Sequence, residues 1–261
     1  MKMFKVLWNS FFIQSAWSFE NMQAMGFAFA ISPALKKIYK EKNDFLSALK
    51  RHMKFFNTQP YMAAPIIGAV IRLEQDVKAG KLSPNDVSLF KKSLMGPYGA
   101  IGDAYFWGSL KPFASVFGVV FLALSSSLWA SAAFLIIYNI PHLWMRTRGL
   151  TAGCNMGIDV VDYIKSLDIP EWGKRLRYLT ICLLGAALAL YYQMNGYASA
   201  NIGSAVGIFS IVLFFAYLMQ KGFSASMLVY IVFILCAAYW YAAPVFHFLN
   251  KYISGQVSVN L

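Results

Sequence analysis

Long stretches of this chain carry no charged residue. The sequence has no Asp, Glu, Lys or Arg over 112–145, 178–220 and 222–250. A helix needs about 20 predominantly apolar residues to cross the hydrocarbon core of a bilayer. The three stretches therefore predict an integral membrane protein built from helices.

The apolar stretches divide further at turn-forming residues. Ser125-Ser126-Ser127 splits 113–140 into two halves of about a dozen residues, which we expect to enter the membrane and return. The stretches 178–194 and 202–219 predict two clearer spans. Asn195-Gly196 predicts the turn between them.

A last span is predicted over 227–249, with a kink or an early end at Pro244. The spans predict about three to five membrane-crossing helices in all.

Residues 1–112 follow a different pattern, because apolar and polar positions alternate with helical period. Apolar residues recur at helical spacing between Phe45 and Phe56, and Asp44 is a candidate N-cap. Pro60 predicts that this helix ends near Gln59. We expect an amphipathic helix lying on protein or at the membrane interface.

Two apolar segments in this region are too short to span. The segment 61–73 predicts a buried or re-entrant element. The segment 94–107 is interrupted by Gly96-Pro97, Gly99 and Gly102, which predict broken helical structure. Paired short segments of this kind are typical of transporter binding sites.

Composition and charge agree with a membrane address. Hydrophobic residues make up 59% of the 261 positions, charged residues only 13%, and mean hydropathy is +0.53. The net charge of +12 arises from Lys and Arg that flank the apolar stretches. Juxtamembrane basic residues mark the cytoplasmic side, so 141–177 is predicted to lie inside. No nucleic-acid recognition module accompanies the charge, and nucleic-acid binding is not expected.

Five polar residues stand out inside apolar sequence: Glu20, Gln23, Asn57, Gln59 and Asp103. Burying such groups without partners costs roughly 2–7 kcal/mol each on transfer scales. Amides and carboxylates suit the hydroxyl groups of a sugar. Structural roles remain open beside this one: a turn or helix end for Asn57 and Gln59, an N-cap for Asp103, and a buried interhelical link for the i, i+3 pair Glu20 and Gln23.

Three segments carry a family resemblance. Residues 17–27 (WSFENMQAMGF), 51–60 (RHMKFFNTQP) and 94–107 resemble, in order and spacing, the motifs of enzyme IID of the mannose/fructose/sorbose-family sugar phosphotransferase system. The chain departs from the family pattern at Tyr98-Gly99-Ala100 and in a shorter segment before the last spans.

The resemblance implies a non-catalytic permease subunit in the bacterial cytoplasmic (inner) membrane. It implies partnership with a IIC membrane subunit, in an oligomer of IIC–IID pairs, and with the IIB and IIA phosphocarriers, which bear the phosphohistidines. A mannose-type hexose is the expected solute, with the five polar residues as its site. No cofactor or metal is expected, since no nucleotide-binding loop or metal cluster is present in the sequence.

The sequence thus predicts an all-α polytopic membrane protein. Residues 1–112 would form an amphipathic and broken-helix region carrying the family motifs, and 113–261 a transmembrane helical region, in one integrated membrane domain. An alternative function is that of a transport-inactive assembly or regulatory membrane protein with the IID fold. An autonomous membrane enzyme is the least favoured, because the chain has no acid–base or metal constellation.

Overall fold

The computed structural model describes residues 3–194 and 221–253, together with scattered positions between 207 and 218. In these residues the regular structure is helical, and the only β contacts are two isolated bridges. The predicted all-α class is confirmed. The chain divides into two compact units, Met1–Tyr192 and Gln193–Leu261, which are described separately.

The helices of the first unit follow one another with short connections. They are α1 Met3–Ser10, α2 Ala24–Ile38, α3 Lys42–His52, α4 Ala63–Lys78, α5 Pro84–Gly102, a π-helical segment Asp103–Leu110, α6 Lys111–Ser125, α7 Trp129–Met156, a 3₁₀ turn Gly157–Asp159, α8 Val160–Ser166 and α9 Ile169–Met194.

The second unit contains helix α10, Ala225–Ile253, which includes the predicted span 227–249. The helix continues through Pro244, so the expected early end is wrong. The predicted turn at Asn195-Gly196 and most of the predicted span 202–219 lie outside the described residues.

Helix α4 forms the centre of the first unit. Every residue from Ala63 to Ile71 is buried, as expected for a short apolar segment enclosed by protein. The helix packs along α7 at very short range, because a Cβ on Gly153 would lie 2.4 Å from the Pro65 carbonyl oxygen. Gly68 meets the Leu150 carbonyl in the same way. Glycine on both helices lets the two backbones touch.

Helices α5 and α6 form one continuous rod with the π-helical segment between them. Within the described residues, Pro84–Ser125 is the only helix long and apolar enough to cross a membrane, with an 18-residue window of mean hydropathy 1.5 that is 17% buried. Ser83 begins the rod with a capping box. The Ser83 hydroxyl accepts a hydrogen bond from the Asp86 backbone N–H, and the Asp86 carboxylate accepts one from the Ser83 backbone N–H.

The rod is not broken at Gly96-Pro97, Gly99 or Gly102, where the sequence predicted an interruption. Gly102 serves packing instead, since a Cβ there would lie 2.5 Å from Gln59 Cβ and 2.7 Å from Met62 Cγ. The interruption takes the milder form of a change in hydrogen-bond register at Asp103, where the π segment begins.

A turn at Ser126 reverses the chain between α6 and α7. Ser126 has a left-handed backbone, with φ of 50°, and its N–H bonds the Leu122 carbonyl. The two helices then pack together, with Gly118 against Phe134. The predicted division of 113–140 at the serines is confirmed.

Helix α3 ends earlier than predicted. It stops at His52 rather than near Gln59, and Asp44 lies in its first turn while Glu41 occupies the N-cap. The backbone of Phe56 instead pairs with the loop before α2: its N–H donates to the Asn21 carbonyl at 3.4 Å and its carbonyl accepts from the Gln23 N–H at 2.8 Å. Tertiary hydrogen bonds replace those that a longer helix would have made.

The close approach of α4 and α7 predicts a sharp difference between two glycines. Gly153→Ala should destabilise the fold by about 1–3 kcal/mol, because the new methyl group meets backbone atoms that cannot rotate away. Gly96→Ala is the matched control, since beyond the neighbouring backbone of its own helix no atom lies within 4 Å of a Cβ there, and it should be neutral or stabilising by about 0.5–1 kcal/mol. Thermal unfolding of the purified protein measures both; equal midpoints for the two variants would contradict the packing described.

Candidate functional site

Gln23 fixes the extended segment that follows α3. Its side-chain Nε2 donates to the Thr58 carbonyl at 2.8 Å, and its Oε1 accepts from the Thr58 N–H at 3.2 Å. The amide thus pairs with Thr58 as a neighbouring β-strand would. Gln23 is 3% exposed, so both of its polar atoms are used on the backbone.

Gln59 fixes the other end of the same segment. Its Oε1 accepts hydrogen bonds from the backbone N–H groups of Tyr61 at 2.7 Å and Met62 at 3.1 Å, at the start of α4. Helix N-termini leave such N–H groups without intrahelical partners. Gln59 is 1% exposed, and its Nε2 has no hydrogen-bond partner in the structure.

Asn57 lies between these two anchors and is exposed. Its backbone N–H points to the Met95 sulfur at 3.4 Å, on α5. Because Thr58 is held by Gln23 and the chain after it by Gln59, the Asn57 side chain is presented on a fixed backbone. An exposed amide on a rigid support is well suited to binding a polar solute.

Glu20 and Asp103 are the other exposed members of the predicted set. Glu20 immediately precedes Asn21, whose carbonyl bonds Phe56, so its loop and the Asn57 segment are neighbours. Asp103 follows Gly102, which packs on Gln59. It sits inside the continuous rod, so it is not a helix N-cap.

The structure therefore brings the predicted residues to one region and separates them into two groups. Gln23 and Gln59 are buried and bond backbone atoms, whereas Glu20, Asn57 and Asp103 are exposed, on three segments that contact one another near Thr58 and Gln59. Exposed aromatic rings accompany Glu20: Trp17 and Phe19 form an edge-to-face pair with centroids 4.9 Å apart.

A buried charge cluster around Glu74, which the sequence did not predict, lies next to the end of α3, before the extended segment that carries Asn57. Glu74 is 0% exposed, and its carboxylate accepts hydrogen bonds from Arg51 at 2.8 and 3.0 Å, from His52 Nε2 at 2.8 Å and from the Tyr39 hydroxyl at 2.7 Å. One signal was available in the sequence. Glu74 lies seven residues after Ile67, on the same face of a helix that is otherwise apolar there.

The contacts within the cluster shift the pKa values of Glu74 and His52. Burial opposes ionisation of Glu74, but the donors His52, Arg51 and Tyr39 outweigh it and lower the pKa of Glu74 to about 2. Burial lowers the pKa of His52 from its usual 6.5, against the pull of Glu74. An ionised Glu74 thus accepts from a neutral His52, whose other ring nitrogen, Nδ1, has no partner.

Lys91 joins this cluster to the Asn57 segment. It is 4% exposed, and its Nζ donates to the His52 carbonyl at 3.4 Å. The ammonium also lies 5.0 Å from the ring centroid of Phe27 and 5.7 Å from that of Phe56. Cation–π contacts in a desolvated site contribute about 2 kcal/mol or more. Phe56 is thereby clamped directly before Asn57.

Comparisons with known proteins give one consistent family. A family model described as "PTS system mannose/fructose/sorbose family IID component" matches residues 1–243. The "PTS system mannose-specific EIID component" of Escherichia coli (strain K12) is 39% identical over 192 residues, 73% of this chain and 68% of the relative. The "PTS system sorbose-specific EIID component" of Lacticaseibacillus casei is 31% identical over 74% of this chain and 68% of the relative.

Solved structures agree. One, described as "Structure of membrane protein", superposes with a TM-score of 0.68 at 26% identity, over 92% of this chain and 96% of that one. A chain of the "CryoEM Structure of Mannose Transporter ManYZ and Microcin E492 (MceA) complex" gives 0.56 at 28% identity, over 92% and 95%. The predicted membrane-protein class is confirmed.

The neutral state of His52 predicts a pH dependence of stability. Below pH 6.5 the unfolded chain protonates this histidine while the fold resists doing so, hence stability should fall as the pH drops below about 6.5. Glu74 should add a further loss between about pH 4.5 and 2, where protonation removes its ion pairs. His52→Gln keeps an N–H donor without the titration, so its unfolding midpoint should depend less on pH between 7 and 5. Parallel pH curves for the two proteins would refute this assignment.

Proposed function

Because this chain belongs to the IID component family of the mannose/fructose/sorbose phosphotransferase systems, we propose that it pairs with a IIC membrane subunit to move a mannose-type hexose across the bacterial inner membrane. It is a permease subunit, as the motifs predicted. The mannose transporter ManYZ, whose subunit it resembles, supports the partnership. Neither the comparisons nor the described residues favour a transport-inactive role.

The observation that carries the sugar proposal is the rigid presentation of Asn57. Its amide offers two donors and an acceptor, and the carboxylates of Glu20 and Asp103 offer acceptors from the adjoining segments. Together these groups suit the alternating donor and acceptor character of sugar hydroxyls. Gln23 and Gln59, in this proposal, position the site rather than touch the sugar.

Phosphoryl transfer, in this proposal, is done by the partner IIB, recharged by IIA, and not by this chain. The histidine within the family motif, His52, is 0% exposed and hydrogen bonded to Glu74. A phosphoryl group could reach it only if the cluster opened. The ring of His142 is likewise largely buried. Neither of these two described histidines is available as an acceptor.

We propose a multi-pass arrangement. The rod Pro84–Ser125 is long and apolar enough to cross the membrane, and the charge-free stretches of α7, α9 and α10 would supply the further crossings. Such a chain buries little of its long apolar rod against itself. We propose that the IIC subunit and lipid cover this surface, in an oligomer of IIC–IID pairs.

Substitutions at the exposed residues should weaken sugar binding without disturbing assembly. Asn57→Ala or Glu20→Gln removes hydrogen bonds to the ligand, each contributing about 0.5–1.5 kcal/mol, so the Kd should rise roughly two- to tenfold. Asn43→Ala and Glu41→Gln, at exposed positions on and before α3, are matched controls. Calorimetric titration of the purified IIC–IID complex with mannose gives the Kd.

Gln59→Ala should behave differently. It leaves the Tyr61 and Met62 N–H groups at the start of a buried helix without a partner, which costs about 1–3 kcal/mol. The yield or melting temperature of the complex should therefore fall. Wild-type sugar affinity in both Asn57→Ala and Glu20→Gln would remove these residues from the site, and loss of the complex in either would assign them a structural role.

Dependence on the partner gives a separate test of the proposed function. Expressed alone, the chain should aggregate or have a low melting temperature, because most of the apolar surface of the rod is left exposed. Co-expression with its IIC should restore a monodisperse species in size-exclusion chromatography. A stable, monodisperse protein without IIC would contradict the partnership.

A further inference from the structure

A cavity begins two residues beyond Asp103 in the chain, and none of the five residues considered for sugar binding lines it. It has a volume of about 220 Å³ and lies between the π segment, α7 and the start of α9. Its walls are mainly aromatic and apolar and include Tyr105, Phe106, Trp144, Met145 and Trp172. Nothing in the proposed transport function uses this cavity.

The cavity lies where three helices change from charged to apolar sequence. The charge-free stretch of the hairpin begins after Lys111 and ends before Arg146, and that of α9 begins after Arg177. The start of the hairpin stretch and the start of the α9 stretch lie close together in space, since Arg177 donates to the Ser109 hydroxyl at 2.9 Å. Such a change in sequence marks the cytoplasmic boundary of the bilayer, where Trp and Tyr side chains are enriched.

Two neighbouring basic residues on α9 form a basic rim, and one of them contacts a wall of the cavity. Lys174 and Arg175 are exposed, and the Arg175 guanidinium lies 5.2 Å from the centroid of the Trp172 ring, which lines the cavity. Glu171 is 3.8 Å from both basic groups. Exposed pairs at this distance are weak, and they leave the cations free to bind another anion.

The combination of walls and rim identifies the kind of occupant. An apolar cavity at the boundary favours a hydrocarbon chain, while adjacent cations favour a phosphate; a soluble phosphate compound has no use for the apolar walls. We propose that this cavity binds an anionic phospholipid, with the phosphate at Lys174 and Arg175 and an acyl chain against Tyr105, Trp144 and Trp172. The lipid would join α9 to the rod beside the Ser109–Arg177 contact.

Native mass spectrometry of the purified IIC–IID complex tests the site, using phosphatidylglycerol and phosphatidylcholine with identical acyl chains. The double variant Lys174→Gln/Arg175→Gln should bind phosphatidylglycerol about thirtyfold more weakly, from the usual attraction of two basic residues for anionic lipid. Its affinity for phosphatidylcholine should not change. Lys40→Gln/Lys42→Gln removes the same charge at exposed positions around the start of α3 and should leave both affinities unchanged.

Two further measurements separate the parts of the proposal. Trp172→Ala should weaken both lipids, because it removes a wall of the cavity and not a charge. Glycerol 3-phosphate, which has the phosphate without the chains, should compete poorly. Equal loss of phosphatidylglycerol in the two double variants, or no loss in either, would overturn the site, and effective competition by glycerol 3-phosphate would assign the rim to a soluble anion instead.

Discussion

The buried carboxylate of Glu74 is the constraint on which the arrangement of the site depends. An ionised carboxylate without partners is very costly in a dry interior, and here it draws donors from the end of α2 and from α3. Those bonds fix the last turn of α3. The His52 carbonyl at that end accepts from Lys91, and Lys91 in turn covers Phe56. The position of Asn57 is thus determined by a chain of contacts that begins at Glu74.

Removing one member of such a cluster costs more than the cluster adds to stability, since it leaves the remaining charges buried and unpaired. Its contribution here is therefore geometric. It places the extended segment against the loop before α2, so that the Gln23 amide and the Thr58 backbone can meet. The local geometry of the candidate site is therefore fixed by buried charges that are not part of its surface.

The sequence predicted the features that depend on local chemistry. Charge-free stretches identified the membrane class, three serines located the hairpin turn, and a short apolar run identified the enclosed helix α4. It failed where distant segments decide. Pro60 suggested a helix up to Gln59, but the loop around Asn21 takes the backbone hydrogen bonds of Phe56. Gly102 was predicted to interrupt the helix, but it packs against Gln59 inside a continuous one. The motifs located the candidate site, while the distinction between its buried and exposed members needed the fold.

The two glutamines have a consequence for how the proposed sugar site could be altered. Since Gln23 and Gln59 bond backbone rather than side chains, their work is independent of whatever residue occupies position 57. The exposed positions can therefore change identity while the scaffold beneath them stays intact. If Glu20, Asn57 and Asp103 bind the solute as proposed, its identity would be altered by varying these three positions together, whereas changes at Gln23 and Gln59 would remove the hydrogen bonds that hold the backbone beneath them.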